Sequence, residues 1–218
     1  MTLLEFARGV GMQWAMIICA VGLTWRLVGI VLLLGRKDLS KARGHHPVAG
    51  GLKAVVKRSL PPHELEKRIV FQHYTGYAWH IGFFVTLLFF GPHLVFLESF
   101  LGFSWPALPN VYILLIGAVT LALLLVLLVR RIVSPVLRMI SSVDDYISVL
   151  LVIFPLLTGF MSYAHVGFEY QTMLALHLLS IQLLMVWFPL GKLMHLFLVL
   201  PTRYVTGSAM QRKGVEAS

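Results

Sequence analysis

Five apolar stretches, each long enough or nearly long enough for a helix to cross a bilayer, dominate this chain. They run roughly over residues 11–34, 71–97, 111–129, 146–163 and 170–199. A hydrocarbon core about 30 Å thick takes about 20 mostly apolar residues in helical form. No water is there to pair a bare N–H or C=O, so the stretches are expected to be helices. The expected fold is an all-α membrane protein, with five transmembrane helices bundled in a single domain over residues 1–218. Composition agrees: 58% of residues are hydrophobic and 12% are charged. The charged share is about half that of a soluble domain. An ordinary soluble enzyme and a disordered chain are both excluded. Arg8 and the first apolar run have the outline of a signal peptide. The run is too long, lacks an Ala-x-Ala-like cleavage site and precedes dense positive charge, so it reads as a retained anchor.

Eighteen Lys and Arg stand against nine Asp and Glu, a formal net charge of +9. Their placement alternates from one connection to the next. The loop over 35–70 holds Arg36, Lys37, Lys41, Arg43, Lys53, Lys57, Arg58, Lys67 and Arg68. The connection from Glu98 to Asn110 holds no basic residue, the next holds Arg130, Arg131 and Arg138, and Ala164 to Glu169 again holds none. Lys192, Arg203, Arg212 and Lys213 follow toward the end. Positive charge stays on the cytoplasmic side. The expected topology therefore has the N-terminus outside and the C-terminus cytoplasmic, in a prokaryotic inner membrane. In a soluble protein such charge would point to nucleic acid. Here it reads as topology in contact with lipid headgroups, and the basic inner face is also open to a cytoplasmic partner.

Charge is scarce within the spans, so histidines there are informative, because an ionisable group at membrane depth is costly. His45, His46 and His63 fall in the basic loop, and His73 falls at the inner mouth of the second span. His80 and His93 lie in the second span, His165 near the outer end of the fourth, and His177 and His195 in the fifth. His177 and His195 are 18 residues apart. On a continuous helix that is about five turns, one shared face and about 27 Å of rise. His80 and His93 are 13 apart, which leaves them about 140° apart in azimuth on an ideal helix. Gly91-Pro92 precedes His93, and a proline kink lets His93 swing round. Opposed helix directions then level His80 with His195 on the inner side and His93 with His177 on the outer side. Two His–His pairs suit two six-coordinate b-type haems, since imidazole is an axial haem ligand and bundles hold cofactors between facing helices. Zinc fits less well, because it wants three or four clustered ligands. Four packing or hydrogen-bonding histidines are the bland alternative. Cys19 is the one cysteine, so the chain has no CxxCH attachment and no thiolate iron–sulfur site of its own.

The residues also resemble a family. Leu176-His177-Leu178, Phe188-Pro189-Leu190-Gly191-Lys192-Leu193-Met194-His195 and Val199-Leu200-Pro201 are similar to the last span of respiratory nitrate reductase gamma subunits. Arg130-Arg131-Ile132-Val133-Ser134-Pro135, Asp145-Tyr146-Ile147 and His80-Ile81-Gly82 extend the resemblance, which covers roughly Lys67 to Thr206. It implies a five-helix anchor with two haem b groups that oxidises quinol and binds a cytoplasmic iron–sulfur subunit. Carried over, His80 and His195 hold the inner haem, and His93 and His177 the outer one. Two features depart from the pattern. The second-span spacing is longer beside Gly91-Pro92, which makes His165 the substitute outer ligand. No Lys or Arg lies between Leu97 and Tyr112, where the nitrate enzymes have a quinol-site lysine.

The expected function is electron transfer between a membrane quinone pool, menaquinone included, and an iron–sulfur partner. Quinol oxidation would release protons outside, with substrate chemistry on another subunit. Glu98 and Glu169 are either quinol proton acceptors or solvated loop acids. Trp79, Trp105 and Trp187 are interface anchors or haem packing. Arg26, within the first span, either snorkels to headgroups or pairs with a haem propionate. Asp144 and Asp145 are expected to cap the fourth span, and Pro155 within it either kinks the helix beside a cofactor or is tolerated packing. The alternative function is a haem-free anchor that docks a soluble partner through its basic cytoplasmic face.

Overall fold

The computed structural model describes residues 1–34, 41–60 and 66–215, without the side chains of 33, 34 and 66–68. Arg36, Lys37 and His63 lie outside the described residues, as do the side chains of Lys67 and Arg68. Every regular element among the described residues is helical. The order is α1 Leu3–Arg8, α2 Val10–Leu34, α3 Pro47–Lys57, α4 Glu66–Phe89, α5 Gly91–Leu101, α6 Asn110–Val133, α7 Pro135–Met139, α8 Val143–Ala164 and α9 Tyr170–Trp187. A 3₁₀ turn, Lys192–Met194, then leads into α10, His195–Arg212. Among the described residues, four helices are long and apolar enough to cross a membrane, or five if the bent pair α4 and α5 counts as one span.

Two of the expected spans are broken. Residues 71–97 do not form one helix: Ile69–Phe89 and Gly91–Leu101 meet at 69°. Pro92 has no N–H and its ring clashes with the preceding turn, so the break falls where the sequence puts Gly91-Pro92. Residues 170–199 also divide, α9 ending at Trp187 and α10 starting at His195. Pro189 explains this, since it has no N–H and cannot continue a helix. The Trp187 carbonyl accepts from both Leu190 N and Gly191 N at 2.9 Å. The five-turn register from His177 to His195 is thereby lost, because it assumed an unbroken helix. The stretch 35–70 also departs from a plain loop, since it contains α3 and the start of α4.

The chain divides into two compact units. The first comprises Met1–Met16 and Phe71–Met185, the second Ile17–Val70 and Val186–Ser218. Small and hydroxyl residues let the helices of the first unit approach, as membrane packing requires. A Cβ on Gly82 of α4 would collide with Thr120 Oγ1 of α6, and one on Gly117 of α6 would lie 2.9 Å from Phe160 Cζ of α8. Gln182 of α9 is buried, and its Nε2 donates to the Ala7 carbonyl of α1 at 2.7 Å. Asp145 accepts from Ser142 N at 2.8 Å, so the acid caps α8 as its position foretold. Arg131 Nη1 donates to Ser141 Oγ at 2.7 Å and lies 3.6 Å from Asp145 Oδ1, which ties the end of α6 to the start of α8.

In the second unit, α3 packs on α10 through residues with almost no side chain. Gly50, Gly51 and Ala54 are buried. A Cβ on Gly207 of α10 would meet Ala54 Cβ and the Gly50 carbonyl. Arg203 Nη1 donates to Ser59 Oγ at 2.8 Å and closes the pair. On α2, Gly22 makes room for the buried Pro189, whose Cγ would lie 2.6 Å from an added Cβ.

Candidate functional site

The helix break at Gly91-Pro92 creates a chemical demand that the surrounding residues meet one by one. A helix leaves its last four carbonyls without intrahelical donors, and in α4 these belong to Thr86, Leu87, Leu88 and Phe89. Leu88 would normally bond to the N–H four residues on, but that residue is Pro92. Trp105 Nε1 donates to the Leu88 carbonyl at 2.8 Å instead. Leu108 N donates to the Phe89 carbonyl at 3.0 Å. His93 Nδ1 serves the other two, lying 3.2 Å from both the Thr86 and the Leu87 carbonyl. A carbonyl only accepts, so His93 carries its proton on Nδ1 and its lone pair on Nε2.

His177 sits on α9 against α8. Its Nδ1 is 3.3 Å from Thr158 Oγ1. The Thr158 hydroxyl already donates to the Phe154 carbonyl at 2.7 Å, and Ser180 Oγ donates to the His177 carbonyl at 2.7 Å. Thr158 Oγ1 is thus left to accept, which puts the proton of His177 on Nδ1 as well. Gly159 provides the space, because an added Cβ would lie 3.1 Å from His177 Cε1 and 3.4 Å from Nδ1. Pro155, buried within α8, lies one turn before these residues.

The rings of His93 and His177 lie near-parallel, with centroids 6.1 Å apart and planes within 10°. That separation is within the range of about 4.5–7 Å for neighbouring aromatic rings. It is also close to the separation of two imidazoles that share one metal ion. With metal–nitrogen bonds of about 2.0 Å and a centroid about 1.1 Å behind each nitrogen, two imidazoles on opposite sides of one metal would sit about 6.2 Å apart. Each ring also has its Nδ1–H tied to protein oxygen, the support that metal-ligating histidines use to fix tautomer and orientation. Phe90 closes one side, edge-on to His93 at 5.1 Å and 6.0 Å from the ring of Tyr163. Among the described residues no group of three or more His, Cys, Asp or Glu could hold a metal ion. Two imidazoles are too few for a bare metal ion of the zinc type and would suit a haem iron, which needs few ligands from the protein.

The other histidines separate into distinct settings. His80 Nδ1 donates to the Gly76 carbonyl at 2.6 Å, and its ring stacks on Trp79 at 3.6 Å. His195 is exposed at the head of α10, and its Nδ1 donates to the Lys192 carbonyl at 2.8 Å. His80 belongs to the first unit and His195 to the second. His165, the substitute outer ligand, is not brought to His177. It is exposed at the end of α8 with φ 54° and stacks on Tyr170 at 4.9 Å. His73 packs edge-on against Tyr77 at 4.8 Å, and His45 and His46 are exposed. Arg26, Glu98 and Glu169 are exposed too. Arg130 lies over the Phe71 ring at 4.7 Å.

Spacing alone missed Thr158, Gly159, Ser180 and the capping role of Trp105. Thr158-Gly159, three residues after Pro155 in an apolar run, was the available signal for the first two. Trp105 had no local signal, since its partner Leu88 is 17 residues away.

No protein-family model matches the chain, and no solved structure matches it. A curated relative from Nitratidesulfovibrio vulgaris (strain Hildenborough), named only "Protein", is 33% identical over 146 residues. The match covers 63% of this chain and 62% of the relative, so the chain spans less than two thirds of that relative's length.

Proposed function

We propose that this chain is a di-haem b-type cytochrome subunit that carries electrons between the membrane quinone pool and a cytoplasmic iron–sulfur partner, in the direction of quinol oxidation. The observation that carries the reading is the His93–His177 pair, two near-parallel imidazoles with centroids 6.1 Å apart. Haem, when bound, supplies a one-electron iron couple. The chain's own residues do the rest. His93 and His177 present Nε2 as donors, and their Nδ1–H bonds to the α4 carbonyls and to Thr158 strengthen that donation. Gly159 keeps the His177 ring free of steric pressure. Phe90 and the apolar walls of α8 and α9 exclude water and so tune the potential.

His80 and His195 are the second pair in this reading. Their support is the sequence resemblance together with the same Nδ1–carbonyl bond in each. The inside-positive charge pattern supports an N-out, C-in topology in a prokaryotic cytoplasmic membrane and a basic inner face for the partner. Arg26 is assigned to the headgroup region, since it is exposed on α2.

The test is a dithionite-reduced spectrum of membranes carrying the purified chain, with haem counted per chain. Two haem b per chain are expected, falling to one in His93→Ala and in His177→Ala. A haem-free chain that still binds a soluble partner would establish the anchor reading instead.

A further inference from the structure

Helix α3 buries one face and leaves the opposite one apolar. Gly50, Gly51 and Ala54 are turned onto α10. At 100° per residue, Val48, Leu52 and Val56 fall on the other side in a single stripe. They are 59%, 60% and 66% exposed, and Leu60 continues the row at 62%. Lys53 and Lys57 are exposed along one flank of that stripe. From residue 41 to 60 the chain holds Lys41, Arg43, Lys53, Lys57 and Arg58 and no Asp or Glu. At 11 residues α3 is about 16 Å long, too short to cross a bilayer.

We propose that α3 is an in-plane membrane helix, with Val48, Leu52 and Val56 inserted at the headgroup boundary of an anionic leaflet and Lys57 on its phosphates. A helix with an apolar stripe and a lysine-rich flank binds bilayers in this way. Charge complementarity selects an anionic surface, because the segment carries five basic groups and no acid. Proximity favours lipid over a soluble partner: the same chain carries helices able to cross a membrane, so a bilayer is always within reach. The packing on α10 through glycines pre-forms the helix, so little ordering is required on contact. This inference does not depend on haem binding or on the direction of electron flow.

The experiment uses the full chain with Cys19→Ser and a single reporter cysteine, Leu52→Cys or independently Val48→Cys, carrying an environment-sensitive fluorophore. Both positions are exposed, so a label there disturbs no packing. The labelled protein is reconstituted in phosphatidylcholine vesicles with or without phosphatidylglycerol. In phosphatidylglycerol vesicles, both labels are expected to be quenched by spin-labelled lipid and shielded from aqueous iodide. Lys57→Gln should lower the ratio of inserted to free helix by about fivefold at an anionic surface. Iodide quenching in anionic vesicles equal to that in detergent would overturn the proposal. Shielding that ignores lipid charge and Lys57→Gln would overturn it in favour of contact within the chain. Shielding that appears only when a second protein is added would overturn it in favour of a protein-docking face.

Discussion

The carbonyl of Leu88 offers a sharp test of how the chain tolerates its broken span. Pro92 cannot donate to it, and Trp105 Nε1 does so at 2.8 Å. Trp105→Phe keeps an aromatic ring and deletes the donor. A part-buried carbonyl left unpaired costs about 1–3 kcal/mol, and near the bilayer water is a poor substitute. In a Pro92→Ala background the situation changes, because an alanine there supplies the N–H that a continuous helix gives to the Leu88 carbonyl. Trp105→Phe should then cost only what the smaller ring loses in packing. That packing loss is common to both backgrounds and cancels in a double-mutant cycle, leaving a coupling of at least about 1 kcal/mol. The assay is reversible unfolding of the four proteins in mixed micelles, titrated with a denaturing detergent and followed by helical circular dichroism. Costs that add within about 0.5 kcal/mol would refute the reasoning, because Pro92 would then not be what makes Trp105 necessary.

Three further outcomes follow from the same geometry. Thr158→Val removes one of two acceptors at His177, the Pro155 carbonyl being the other, so the ring donates less strongly; redox titration should show one haem of the two shifted to higher potential. Gly159→Val pushes a branched side chain into the His177 ring, where even a Cβ comes within 3.1 Å of Cε1. It should release one haem per chain by spectral count, whereas His165→Ala should keep both. Gly207→Leu forces apart α3 and α10 and should cost about 1–3 kcal/mol. Limited trypsin digestion would report it as faster cleavage at Lys53 and Lys57, and unchanged digestion would contradict the packing described.

Legibility in the sequence differed from residue to residue. The bend beside His93 was readable because its cause is local: Pro92 lacks an N–H wherever it stands. The break at Pro189 was equally local, yet the 18-residue register of His177 and His195 concealed it. Periodicity counts residues and assumes the helix continues. Helix α3 was hidden by its own composition, since Gly50-Gly51 is a poor helix signal in isolation and becomes an asset only against Tyr204, Gly207 and Gln211 of α10.

The sequence by itself determined the helical class, the apolar spans and the histidines worth following, because hydrophobic transfer and backbone pairing in lipid act on each segment separately. Tertiary structure decided which histidines meet. His93 reaches His177 because a 69° bend carries it there, Thr158 and Gly159 shape the space, and Trp105 and Leu108 hold the released carbonyls. His165, the substitute by position, stacks on Tyr170 instead. Those choices depend on groups brought together from distant parts of the chain, and no local pattern encodes their meeting.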